Sequence, residues 1–74
     1  MSKTDTRRKL LRDIAARADE LALSWRRNLA RYQACYEIVS NHDGDDDGHE
    51  SHIVAEHYAA TGNFPRGYCP RVGS

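Results

Sequence analysis

Between Thr6 and Ser40 the chain has no glycine and no proline, so nothing in that stretch forces a turn. It has two cysteines, Cys35 and Cys69, too few for a disulfide framework. No charged start followed by an apolar run and a cleavage site opens the sequence, and with so little cysteine the expected compartment is the reducing cytoplasm. Its apolar runs are a few residues long, far short of the roughly 20 that cross a bilayer. No internal repeat, CxxC pair or HExxH pattern occurs. Net charge is also missing, because 11 basic residues balance 11 acidic ones.

What remains is one short chain of 74 residues. Folding at this size buries only about 60% of the surface of the unfolded chain, which leaves a thin core and marginal stability. The zero total hides a sorted layout. Lys3, Arg7, Arg8, Lys9 and Arg12 face only Asp5 in the first twelve residues. Glu37, Asp43, Asp45, Asp46, Asp47, Glu50 and Glu56 then follow with no Lys or Arg among them, and Arg66 and Arg71 close the chain without an acid. Such a dipolar surface steers encounter with a partner of complementary charge.

The predicted fold is all-α, a helical hairpin or three-helix domain over 1–62 followed by an extended basic and aromatic tail over 63–74. Leu11, Ile14, Ala18, Leu21, Trp25, Leu29, Tyr32, Tyr36 and Val39 recur in steps of three and four, the period of one helical stripe. Arg12, Arg17, Glu20, Arg27 and Arg31 read as the opposite face. Thr4, Asp5 or Thr6 can supply an N-cap oxygen. An unbroken helix of about 35 residues is some three times the usual length, so a break is expected near Ser24, with helices over 6–23 and 25–40. Leu21, Leu23 and Leu29 would then fold against each other, and Trp25 is expected in the core. Asn41 to Gly48 reads as a polar turn, and a third helix over 49–61, with Ile53, Val54 and Tyr58 on one side, stops at Gly62. The segment from Asn63, rich in Gly and Pro, is expected to carry no regular structure.

Candidate chemistry is sparse. Asp43, Asp45, Asp47 and Gly48 match the first half of a calcium loop, but its twelfth position is Val54 where a bidentate carboxylate belongs, so the aspartates read as solvated. His49, His52, Glu56 and His57 fall within nine residues, and His52 and Glu56 share the four-residue spacing of metal ligands. His49, His52 and Glu56 are the metal candidates to test, although surface histidines are the preferred reading and no cofactor is expected. Cys35 or Cys69 with His57 could be written as a nucleophile and base, yet so thin a core offers no buried cleft to activate them, and no enzymatic activity is expected.

Recognition explains more of the residues. Trp25, Tyr32, Tyr36 and Tyr58 are aromatic anchors with flanking arginines, the residue types of interface hot spots. The expected partner-binding set is Arg7, Arg8, Arg12, Arg27, Arg31, Tyr36 and Tyr58. In the tail, Phe64, Arg66, Tyr68 and Arg71 alternate ring and cation as a nucleic-acid contact would, so contact with RNA or DNA is expected there. A helical body from Arg7 to Tyr58 with the tail Phe64-Pro65-Arg66-Gly67-Tyr68-Cys69-Pro70-Arg71 resembles, in layout, the phage-encoded factors that bind host RNA polymerase. The resemblance implies a regulator in the host cytoplasm that blocks promoter-specific initiation or promotes antitermination and performs no chemistry itself. Two alternatives stay open: a metal- or nucleic-acid-binding module acting alone, and an inhibitor of another host complex such as gyrase or a defence system.

Overall fold

In the computed structural model, residues 3–42 and 50–68 are described, with the side chains of residues 3 and 4 excepted. Three helices account for most of them: α1 (Lys3–Leu21), α2 (Arg27–Asn41) and α3 (Ser51–Thr61). The all-α expectation is met, and the break falls at residues 22–26. The Asp43, Asp45, Asp47 and Gly48 loop lies outside the described residues, as do His49, Cys69 and Arg71.

The central element is α2, which packs against both α1 and α3. Its buried face carries small side chains, Ala30, Ala34 and Cys35, with Val39 at the far end. Small residues let two helices approach one another from opposite sides, and they leave the large apolar residues of α2 for the outer face. On α1 the buried residues are Thr6, Leu10, Ile14 and Ala18, an exact four-residue series along one edge. Thr6 therefore sits inside the helix and is not its cap. On α3 the buried residues are Val54, Ala55 and Tyr58, while Ile53 faces out.

Residues 63–68, the described part of the expected extended tail, fold back on the body, and residues 69–74 lie outside the described residues. Gly62 caps α3 in the left-handed conformation at φ 80°, and its N–H donates to the Tyr58 carbonyl. The chain then returns to the body, and Pro65 to Tyr68 form a turn in which the Tyr68 N–H donates to the Pro65 carbonyl at 3.1 Å. Gly67 holds φ 89°, the positive value needed at the third position of a type II turn. This turn buries Phe64 to 3% exposure and Tyr68 to 1%. Their rings meet at 4.6 Å between centroids, tilted by 59°. Arg7 of α1 places its guanidinium carbon 5.9 Å from the centre of the Phe64 ring, within cation–π range. The folded unit thus runs beyond residue 62. The physical reason is the thin core: three short helices leave apolar surface that two more rings cover.

One polar clasp joins α1 to α2. Arg17 reaches Glu20 at 3.1 Å on its own helix and Glu37 at 3.2 Å on the neighbour. Gln33 donates to the other Glu37 oxygen at 3.0 Å. The Gln33 and Arg17 hydrogen bonds hold the Glu37 carboxyl below its ordinary value, and the hydrogen bonds to Glu37 and Glu20 raise the Arg17 guanidinium. Such exposed pairs fix register more than they stabilise.

Candidate functional site

The corner between α1 and α2 departs most from what the sequence implies. The break falls near Ser24 as expected, but the second helix begins at Arg27 and not at residue 25: Arg26 is its N-cap residue, extended at ψ 147°, and no side chain caps the helix. The chain leaves α1 through tight bonds, Leu23 N–H to Glu20 O at 3.3 Å and Ser24 N–H to Leu21 O at 3.1 Å. That turn swings the next residues off the core stripe. Leu23 is 88% exposed, Leu29 58% and Trp25 45%, so Leu23 and Leu29 do not close on Leu21 and Trp25 is not a core residue. Ser24, Trp25, Arg26 and Leu29 line one shallow groove.

The apolar surface continues along α2. Leu29, Tyr32 and Tyr36 follow in steps of three and four on the side away from the alanines. Tyr36 is exposed, Tyr32 is half-buried, and the two rings stack at 6.1 Å between centroids. Trp25 and Leu29 share that groove, and Leu23 and Tyr36, near them in the chain, are exposed as well, a density of large exposed apolar residues that singly scattered ones do not reach.

Arginines border this run. From Leu21 to Tyr36 the chain carries Arg26, Arg27 and Arg31 and no acid. Among the described residues none of the three forms an ion pair. Arg27 and Arg31, one helical turn apart, line a cleft of about 80 Å³ together with Ala15, Ala18, Asp19, Ala22 and Tyr58. Burial pushes the Tyr58 phenol above its ordinary value, and the Arg31 charge opposes that rise.

The expected site residues divide accordingly. Arg8, Arg12 and Arg27 are exposed, Arg31 is half-buried and Tyr36 is exposed, so these are free to meet a partner. Arg7 is exposed but sits over Phe64. Tyr58 is buried and belongs to the core cluster, and it also lines the cleft with Arg27 and Arg31. Phe64 and Tyr68 are core residues and their faces cannot stack on bases; of the expected tail contacts, Arg66 is exposed. His52 turns to Glu50, Nδ1 to Oε2 at 3.3 Å, rather than to Glu56. No group of three potential metal ligands occurs among the described residues. Cys35 is a free, fully buried thiol pushed up to about 12 by desolvation, so it stays protonated at neutral pH and cannot serve as the nucleophile beside His57. No helix among the described residues is long and apolar enough to cross a membrane.

A three-helix domain with an apolar, arginine-bordered corner is the class that fold and surface define. Comparison with family models, curated proteins and solved structures finds no match. The functional reading therefore rests on the surface itself.

Proposed function

We propose that this chain is a non-enzymatic binding module that docks on a larger protein through the corner formed by Leu23, Trp25 and Leu29, extended along α2 by Tyr36. The observation that carries the reading is the exposure of Leu23, Trp25 and Leu29 together on a chain whose core has too few apolar residues to spare any. Burying such side chains against a partner yields roughly 25 cal/mol per Å², and tryptophan with neighbouring arginines is the usual composition of an energetic centre. Catalysis has no comparable support: the cleft is small, and its walls hold no nucleophile beside a base.

The partner implied by the layout resemblance is a bacterial RNA polymerase, which makes the protein a transcription regulator of phage type. The burial of Phe64 and Tyr68 removes base stacking from that reading and leaves protein contact as its core. Affinity capture from bacterial lysate tests it. Tagged protein is expected to enrich polymerase subunits, and Trp25→Ser with Leu29→Ser to lose them. Enrichment of a different complex, lost in the same variant, would keep the docking function and replace the partner. No protein enriched over the double variant would end the reading.

A further inference from the structure

We infer that the segment accepted at this corner is an acidic amphipathic peptide of a partner protein, whose apolar side chains cover Trp25 and Leu29 while its carboxylates engage Arg26, Arg27 and Arg31. The inference rests on the docking reading and specifies the chemistry of the partner.

Three observations converge on it. First, the positive charge at the corner has no ion-pair counterpart among the described residues. Arg17 spends its charge on Glu20 and Glu37, whereas Arg26, Arg27 and Arg31 form no ion pair among the described residues. Second, the charge and the apolar surface interleave. Arg26 lines the same groove as Trp25 and Leu29, and Arg26, Arg27 and Leu29 line a second one with Asn28. An occupant of the groove must therefore satisfy both, and guanidinium groups are matched best by carboxylates, which they bind in forked pairs. Third, two of the three arginines also line a small cleft. Its volume is about 80 Å³, and Arg27, Arg31 and Tyr58 line it with Ala15, Ala18, Asp19 and Ala22. Asp19 also lines that cleft and forms no ion pair with either arginine among the described residues, so a partner's carboxylate has two guanidinium groups to engage there.

A lipid surface or a nucleic acid strand would also meet arginine and tryptophan, but both want a broad basic field. The charge here is local: the three arginines fall within residues 26–31 of a chain with a net charge of +0, and the nearest acids in sequence are Glu20 and Glu37. A short segment bearing a few carboxylates beside leucine or aromatic residues fits that scale. Helix-in-groove recognition supplies the geometry, with anchors at steps of three and four opposite Trp25, Leu29 and Tyr36.

The test uses the full chain and a displayed library of random 16-residue peptides. Selection on the wild-type protein is expected to enrich peptides that place Asp or Glu beside Leu, Phe or Trp. A synthetic peptide from that pool should shift the emission of Trp25, the sole tryptophan. Its affinity should fall about tenfold when Arg27→Glu and Arg31→Glu are combined, and by a similar factor between about 50 and 500 mM salt. Arg27→Gln with Arg31→Gln serves as a milder pair if charge reversal disturbs folding, and circular dichroism checks each variant. Enriched peptides that are apolar but neutral, and that bind the arginine variants as well as wild type, overturn the inference and leave the docking reading standing. Peptides retained equally by Trp25→Ser with Leu29→Ser, or no enrichment at all, overturn both. A Trp25 shift caused only by phosphatidylserine vesicles, by single-stranded oligonucleotide, or by self-association at high protein concentration overturns the acidic peptide in favour of that occupant.

Discussion

At the scale of the residue, size misleads. Trp25 is the largest apolar side chain in the α1–α2 stripe and the sequence assigns it to the core, yet the core face of α2 is built from Ala30, Ala34 and Cys35. Helices that approach closely have room for alanine and none for tryptophan, so volume alone does not say which face is buried. The converse error concerns Phe64 and Tyr68, whose glycine and proline neighbours suggest a loose tail although both rings are buried. Equilibrium urea unfolding separates the two groups. Phe64→Ala is expected to cost about 3 to 5 kcal/mol, enough to unfold much of so small a protein, whereas Leu23→Ser or Leu29→Ser should change stability by no more than about 0.5 kcal/mol. An inverted order would contradict the burial pattern.

Cys35 supplies a pH prediction at the same scale. Burial raises its thiol to about 12, above the value in the unfolded chain. The native state therefore keeps a proton that the unfolded state releases, and stability must fall as pH rises from about 9 toward 12, by up to about 1.4 kcal/mol per unit. Below pH 9 both states hold the proton and stability is insensitive to this group. Urea midpoints measured across that range should decline in wild type and decline less in Cys35→Ala. A thiol reagent at neutral pH should label Cys35 only at the rate of unfolding.

At the scale of the element, the three helices are legible and their ends are not. Periodicity locates α1, α2 and α3, and Gly62 marks the stop of α3 as expected, because only its left-handed conformation lets the cap form. Replacing it by alanine meets no steric obstacle, since nothing lies within 4 Å of the added carbon. The cost is then backbone strain alone, about 1 to 2 kcal/mol, and Gly62→Asn should recover part of it in thermal unfolding. The break between α1 and α2 falls close to Ser24, but α2 starts only after Arg26, whose extended backbone precedes the buried Ala30 and Ala34 and carries no side-chain cap. An uncapped N-terminus is an unused source of stability. Arg26→Asp should add about 0.5 to 2 kcal/mol by accepting an N–H of the first turn, and the same substitution should weaken partner binding. A variant that gains stability without losing binding would remove Arg26 from the docking surface.

At the scale of the whole molecule, the chain is a small body whose C-terminal turn completes the core and whose opposite investment is an exposed corner. Deleting residues 63–74 therefore removes structure as well as surface, and the shortened chain should lose cooperative unfolding rather than retain a folded body that still binds. How the parts meet in space was the portion least legible in the sequence. The charge blocks, the aromatic residues and the arginines are all visible there, but which of them share a surface depends on the turn at residues 22–26 and on the return of Phe64 and Tyr68. Neither follows from a periodic pattern, because both are settled by how much apolar area three short helices leave uncovered.

The central claim is that Leu23, Trp25 and Leu29 are kept on the outside to be covered by another molecule. Its most direct measurement pairs two readings on Trp25→Ser with Leu29→Ser, the thermal midpoint of the purified variant and the amount of partner it retains on an affinity column. The account predicts a midpoint within about 4 °C of wild type and a loss of at least about tenfold in retained partner. A variant that melts far earlier, or one that holds its partner undiminished, would contradict it.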